Sequence, residues 1–127
     1  MKQVVEFNEQ LKVTIMELEK TCEHIANQME RKHSKDFSEN AQKIIVELVR
    51  GMKGKAATEN DVFEEDYESY IEVAIECGEE YHPNAYIPIW KCKNEWFQMV
   101  GYITTSNSSD IELKLDHIVR EILEENY

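Results

Sequence analysis

A run of carboxylates between residues 59 and 80 is the part of this sequence whose residue types and spacing point to a chemistry. The segment 56–90 contains ten acidic residues and no Lys or Arg, so it carries −10 of the chain's formal net charge of −12. Such a concentration of one charge sign attracts a basic partner. Eight of these acids form the candidate partner-binding set: Glu64, Glu65, Asp66, Glu68, Glu72, Glu76, Glu79 and Glu80.

The spacing of the acids is typical of a charged strand face. In an extended conformation, five of them would share one side at steps of two or four residues: Glu64, Asp66, Glu68, Glu72 and Glu76. Two residues of strand advance about 6.7 Å, which is similar to the spacing of successive phosphates along a nucleic-acid strand. The alternative is a solvated sheet face that only aids solubility, and the sequence leaves both interpretations open.

Aromatic residues are interleaved with the acids. Tyr67, Tyr70 and Tyr81 join the candidate partner-binding set. Tyrosine is enriched in interface anchors, and an arginine of a partner can stack on its ring. We expect the two tryptophans, Trp90 and Trp96, in the core.

No residue set in the sequence has the spacing of a known catalytic motif. Residues 51–55, Gly-Met-Lys-Gly-Lys, lack the spacing of a phosphate-binding loop. The tripeptide 112–114 has the E-x-K pattern of metal-dependent nucleases, but we expect it to open a helix instead of lying on a strand. We therefore expect a non-enzymatic protein with no catalytic residue.

Three cysteines, Cys22, Cys77 and Cys92, are odd in number and widely spaced. Such a set is typical of free thiols in a reducing compartment. The N-terminal residues lack the apolar core of a signal peptide, and no apolar run approaches the ~20 residues of a membrane span. We expect a cytoplasmic protein without a metal centre or a cofactor, and without membrane association.

Residues 4–33 are predicted to form one long helix. Its apolar seam alternates steps of three and four residues through Val4, Asn8, Leu11, Ile15, Leu18, Cys22, Ile25 and Met29. One interpretation is a helix packed within the chain. The other is a coiled-coil dimer in which Asn8 sets the register. The candidate dimerisation residues are Leu11, Ile15, Leu18 and Ile25.

A second helix is predicted over residues 37–52, with Asp36 in a capping-box-like start. Its apolar stripe consists of Phe37, Ala41, Ile44, Ile45, Leu48, Val49 and Met52. The link between the two helices is short, so residues 1–55 should form an antiparallel helical hairpin.

Alternating apolar and acidic residues over 67–77 favour a strand, although a helix ending at Gly78 is the rival interpretation. Pro88 indicates an edge position, and Ser109 with Glu112 forms a capping box. The further expected elements are a loop at 78–85, a strand at 86–92, a turn at 93–94, a strand at 95–104 and a helix at 110–125.

The predicted fold class is α+β in the order α-α-β-β-β-α, in which a small antiparallel meander packs with the N-terminal helical hairpin and the C-terminal helix. We expect a single domain over residues 1–127. Its parts would be the hairpin at 1–55, the acidic meander at 56–108 and the last helix at 109–127.

No motif identifies a family, but in type the chain resembles small phage-encoded inhibitors, including anti-CRISPR proteins. The resemblance rests on size, charge and the 59–80 cluster. It implies a non-enzymatic inhibitor that mimics nucleic acid and blocks the basic groove of a nuclease or defence complex. The chain is also similar in type to immunity proteins that bind a nuclease toxin, and a dimeric structural or adaptor protein is a third hypothesis. Direct nucleic-acid binding is not expected, because the net charge repels phosphates.

Overall fold

Two helices and six strands make up the chain, which a computed structural model describes over residues 1–125. The elements are β1 (Lys2–Val4), α1 (Glu9–Ser38), β2 (Lys43–Met52), β3 (Lys55–Ala56), β4 (Tyr67–Cys77), β5 (Glu80–Glu95), β6 (Gln98–Ile103) and α2 (Ser108–Glu125). A short 3₁₀ turn at Glu59–Asp61 lies between β3 and β4. This composition confirms the predicted α+β class.

The strands form one antiparallel sheet in the order β1-β6-β5-β4-β2-β3. Both helices pack on the same face of this sheet. The main core cluster joins buried side chains of α1 and α2 to the inward residues of the three central strands: Ile44, Val46, Ile71, Val73, Ile75, Ile87 and Ile89. The opposite face of the sheet has no helix over it within residues 1–125.

The predicted second helix is wrong, because residues 43–52 form strand β2. Residues 44–49, Ile-Ile-Val-Glu-Leu-Val, fit a helical stripe and a strand alternation equally well. Four of these six residues are β-branched, which favours a strand. Pairing with β4 along its whole length settles the choice, so the helical hairpin does not form.

Helix α1 begins and ends later than predicted. Asn8 is its N-cap, and the Asn8 side chain accepts a hydrogen bond of 2.9 Å from the Leu11 backbone N–H. Asn8 therefore caps the helix instead of setting a dimer register. The helix continues through Asp36, which was expected to start a second helix, and ends at Ser38.

The seam of α1 faces the chain's own core. Ile15 is fully buried and Ile25 is 5% exposed, while Leu11 and Leu18 are half-buried against the two core clusters. The four candidate dimerisation residues thus contact side chains of the same chain. The interpretation of a helix packed within the chain accounts for this seam.

Strand β4 confirms the strand interpretation of residues 67–77. The region after it differs from the prediction, because β5 already starts at Glu80 and the expected loop at 78–85 shrinks to a turn around Gly78, whose φ is +61°. The register between β4 and β5 shifts twice, directly after Pro83 and Pro88. A proline cannot donate to the ladder, so bulges at these points are expected.

Residues 80–88 pair with β4 alone among the described residues, and β6 pairs with β5 only over 90–95. Pro88 therefore lies where β5 has one open side, as an edge position requires.

The turn expected at residues 93–94 lies instead at Trp96 and Phe97, because Glu95 pairs with Gln98 across a two-residue loop.

The C-terminal helix α2 confirms the prediction for residues 110–125 within one turn. Its N-cap is Asn107, not Ser109, because the Asn107 side chain accepts a hydrogen bond of 2.9 Å from the Asp110 backbone N–H. The buried residues Ile111, Leu115, Val119 and Ile122 bring the helix onto the core.

Candidate partner-binding face

The uncovered face of the sheet, called the outer face below, carries the acids that the sequence singled out. Residues that lie opposite each other in paired strands point to the same face, so the register defines its members. They include Glu47, Val49, Glu68, Tyr70, Glu72, Glu76, Tyr81, Tyr86 and Pro88. Antiparallel sheets commonly leave one face to solvent, and such faces are usually polar. This one mixes carboxylates with aromatic and aliphatic side chains.

Two carboxylates meet at the centre of the outer face. Glu72 on β4 lies opposite Glu47 on β2 and opposite Tyr86 on β5. Like charges directly opposite on neighbouring strands destabilise a sheet. No ion pair within residues 1–125 involves either carboxylate. The sequence interpretation missed Glu47 because it assigned that segment to a helix; strand alternation would have found it.

Other acids of the cluster lie near cations from neighbouring strands, although their own segment, 56–90, contains no Lys or Arg. Lys91 lies opposite Glu68, and Lys43 lies opposite Glu76. The Lys53 ammonium is 3.3 Å from Asp66 Oδ2. Lysines from strands β2 and β5 thus offset part of the field, and the uncompensated charge is concentrated at the Glu47–Glu72 pair.

Three tyrosines surround this pair. Tyr70 and Tyr86 pack edge to face, with ring centroids 5.4 Å apart. Partial burial followed by the Glu72 charge raises the pKa of Tyr81 to about 12. The same causes raise the pKa of Tyr70. Both hydroxyls therefore remain protonated at neutral pH, and Tyr81 and Tyr86 expose 45% and 59% of their surface.

A shallow depression of about 380 Å³ lies beside the tyrosines and is lined by Glu68, Tyr70, Tyr86 and Pro88. Its walls are aromatic and pyrrolidine rings with one carboxylate at the rim. Such a surface suits a flat group, such as a guanidinium or an aromatic ring, that can stack on it.

Other predicted site residues are not brought together. Glu64 and Glu65 lie in the turn before β4, and Glu79 and Glu80 lie at its far end, so the length of an 11-residue strand, roughly 35 Å, separates them. Tyr67 is fully buried. Its hydroxyl donates to Glu19, so Tyr67 belongs to the core and leaves the partner-binding set.

The contact to Tyr67 is part of a buried ionic network that the sequence interpretation missed. Glu19 is fully buried, and one of its carboxylate oxygens accepts from the Arg50 Nε at 3.1 Å while the other accepts from the Tyr67 hydroxyl at 2.5 Å. Burial and the Glu19 carboxylate raise the pKa of Tyr67. Glu19 has no solvent-exposed surface and each of its carboxylate oxygens has a donor, so the network is structural.

Two cysteines are buried and unreactive. Burial, with a smaller contribution from Glu19, raises the pKa of Cys22 to about 11, and burial raises the pKa of Cys92 to about 12. The reactive form of cysteine is the thiolate, which these pKa values disfavour at neutral pH.

The hairpin between β5 and β6 ends in two exposed aromatic residues. Trp96 and Phe97 are 94% and 102% exposed, and their φ angles are +53° and +65°. The expectation that Trp96 lies in the core is wrong, whereas Trp90 is fully buried and its indole N–H donates to the Val62 carbonyl at 2.7 Å. A bulky residue with positive φ is a backbone outlier.

Within residues 1–125, no group of three or more His, Cys, Asp or Glu side chains is arranged to hold a metal ion. Neither helix in this part of the chain combines the length and the apolar character needed to cross a membrane. Comparison of the chain with protein-family models, with curated proteins and with solved structures gives no match.

Proposed function

We propose that this chain is a non-enzymatic cytoplasmic inhibitor whose outer face occupies the basic, nucleic-acid-binding groove of a nuclease or defence complex. The observation that carries the proposal is the Glu47–Glu72 pair on a sheet face without a covering helix. Two adjacent carboxylates cost folding stability in the free protein. A partner cation placed between them would convert that repulsion into attraction.

Arginine is the cation that fits this surface best. Its guanidinium is planar, pairs with carboxylates through two parallel hydrogen bonds and stacks on aromatic rings. Glu72 offers the carboxylate, and the neighbouring Tyr70 and Tyr86 offer rings at the same level of the sheet. Nucleic-acid-binding grooves are rich in arginine and lysine, because they neutralise phosphates.

The proposed mimicry depends on the negative electrostatic field and on a few side chains that anchor the partner. It does not reproduce the spacing of successive phosphates. Glu68, Glu72 and Glu76 recur every four residues along β4, which is about 13 Å per step, because Tyr70 and Ala74 occupy the positions between them. Glu47 adds a charge on the neighbouring strand. The remaining acids at both ends of β4 extend the negative field, which would steer a basic partner to the face.

The first prediction concerns three charges on this face. We expect Glu68→Lys, Glu72→Lys and Glu76→Lys together to abolish capture of a basic nucleic-acid-binding protein from bacterial lysate. The assay retains proteins on the immobilised chain at low salt, elutes them with a salt gradient and identifies them by mass spectrometry. Binding driven by opposite charges should weaken steeply as salt rises.

The matched control reverses the same number of charges on the side of the molecule that carries the helices. Glu17, Glu112 and Glu124 are exposed, and no ion pair involves them within residues 1–125. Reversing these three to Lys should leave the same protein bound. Equal loss in both variants would assign the interaction to net charge alone, and retention in the first variant would refute the outer face as the binding site.

A nuclease toxin would present the same basic groove to this face, so the immunity-protein hypothesis shares the proposed surface. The identity of the captured protein separates the two. The adaptor hypothesis has less support, because the α1 seam on which it relied packs on the chain's own sheet.

A further inference from the structure

Strand β2 has an open side, which faces away from β4. Strand β3 pairs with β2 only at Gly51 and Met52, so no strand of residues 1–125 lies beside the stretch 43–50 on that side. An open side presents a row of backbone N–H and C=O groups, to which a strand of another chain can add. The stretch 43–50 is rich in β-branched residues and contains no proline, which is typical of segments that pair readily.

Two hydrogen bonds show which backbone groups of β2 face the open side. The Val46 N–H donates to Glu30 Oε1 at 3.1 Å, and the Arg50 carbonyl accepts from the Ala57 N–H at 3.2 Å. Alternate residues of a strand direct their N–H and C=O groups to the same side. The outward row therefore belongs to the even-numbered residues from 44 to 50, and Val46 lies inside this row.

The other open strand side of the chain is protected in a different way. Residues 80–88 of β5 contain Pro83 and Pro88, and the register to β4 shifts directly after each proline. Prolines and bulges are common means of preventing strand addition. Strand β2 contains no proline and pairs with β4 without a register shift. Its open side therefore depends on another element for protection.

Helix α1 supplies that protection through Glu30. Ala26 precedes Glu30 by about one turn and Phe37 follows it by about two, and both are fully buried, so α1 holds Glu30 at the border of the core. Val46 is 1% exposed although no strand lies beside it on the open side. Within residues 1–125, Glu30 is the one side chain that hydrogen-bonds to the backbone of the stretch 43–50.

We propose that Glu30 blocks strand addition to β2 and thereby prevents the β2 strands of two copies of this chain from pairing. Its carboxylate takes the place of the carbonyl that a second strand would bring to the Val46 N–H. A second copy would have to displace Glu30, and the Glu30 carboxylates of both copies would then share one edge, where they repel each other.

This role goes beyond the proposed inhibitor function and does not depend on it. The proposed partner binds the outer face of the sheet, whereas Glu30 acts at the edge of the sheet. The two proposals can fail separately, because the role of Glu30 is measured on the purified chain without any partner.

The test is sedimentation velocity of the purified full chain with Glu30→Ala. Concentrations span the micromolar range at physiological salt, where the repulsion between acidic copies is largely screened. The wild-type chain should keep its mass of 15.0 kDa throughout. The variant should approach twice that mass as concentration rises, because the Val46 N–H is then free to pair with a second copy.

Hydrogen exchange separates strand pairing from a weakened fold. In dilute solution, the Val46 amide of Glu30→Ala should exchange about tenfold faster than in the wild type, since a hydrogen bond to a charged group is lost. At concentrations where the mass of the variant doubles, the protection of Val46 should return, because a carbonyl of the second copy replaces Glu30. A folding defect alone would not restore protection as concentration rises.

Two variants are matched controls. Glu30→Gln keeps an oxygen that can accept the same hydrogen bond, so this variant should remain monomeric. Glu17→Ala removes the same charge from an exposed position of the same helix and should also remain monomeric. A Glu30→Ala chain that stays monomeric at every concentration, association of either control, or a wild-type chain that already dimerises would overturn the proposal.

Discussion

At the residue scale, the buried Glu19 shows how a charged side chain is stabilised inside the core. Its two carboxylate oxygens accept from Arg50 and from Tyr67, and it joins helix α1 to strands β2 and β4. Desolvating a carboxylate is expensive, and the cost is offset only when every lone pair direction finds a donor. The Glu19–Arg50–Tyr67 network adds a polar contact to the apolar packing that holds α1 on the inner face of the sheet.

Glu19→Gln should lower the free energy of unfolding by about 2–4 kcal/mol, because it leaves the half-buried Arg50 guanidinium without its main counter-charge. Urea denaturation followed by circular dichroism measures the change. Glu23→Gln is the matched control, since Glu23 is exposed on the same helix and lies 3.8 Å from the same guanidinium. Its effect should stay within about 0.5 kcal/mol, and equal losses in both variants would contradict the role given to Glu19.

At the element scale, a second polar cluster joins the two helices. Asp116 on α2 accepts from the Lys32 ammonium at 3.0 Å, from His33 Nε2 at 2.9 Å and from Arg120 Nε at 2.7 Å. The hydrogen bond from Lys32, with those from Arg120 and His33, holds the pKa of Asp116 well below its usual range. Helix α2 is therefore fastened to α1 by a carboxylate that must stay ionised.

The sign of the pH dependence follows from this lowered pKa. A group whose pKa is lower in the folded state stabilises the fold above its unfolded pKa, and that contribution disappears as pH falls. Asp116→Asn should lower the free energy of unfolding by about 1–2 kcal/mol at pH 7, and the difference from wild type should shrink below about pH 4. Urea titrations at several pH values, with the exposed Glu112→Gln as control, measure it. A difference that is independent of pH would contradict this account of Asp116.

The sequence predicted the elements in which one hydrophobic period is clearly stronger than the other. Helices α1 and α2 and strand β4 are present as predicted, with α1 shifted by about five residues, because their apolar spacing favours the observed structure. Strand β2 was missed, since Ile44 to Val49 satisfy both periods and only pairing with β4 decides between them. The Glu47–Glu72 contact was unpredictable for the same reason, because it depends on that pairing.

The tip of the β5–β6 hairpin shows a different limit. Residues 93–94, Lys-Asn, look like a turn, whereas Trp96 and Phe97 look like a strand or a core. The structure places the turn at the aromatic pair, against local preference. Local residue preferences therefore do not decide the position of this turn, and conflicts of this kind are expected at strained or functional positions.

At the scale of the whole molecule, the core and the candidate binding face lie on opposite sides of the sheet. The helices and the inner sheet face hold the core, and the outer face holds the Glu47–Glu72 pair, the tyrosines and the depression. The net charge of −12 adds a long-range field that favours basic partners and disfavours nucleic acids and a second acidic copy. In the proposed complex, close contacts along the outer face would decide which partner stays bound.

The most direct test of the central claim is competition with nucleic acid. Fluorescence anisotropy would follow a labelled nucleic acid bound to the protein that the chain captures. The wild-type chain should displace the label, and Glu47→Lys with Glu72→Lys should not, because the replaced pair would repel the partner's cations. A label that remains bound while the wild-type chain also binds would contradict the claim that the outer face occupies the nucleic-acid groove.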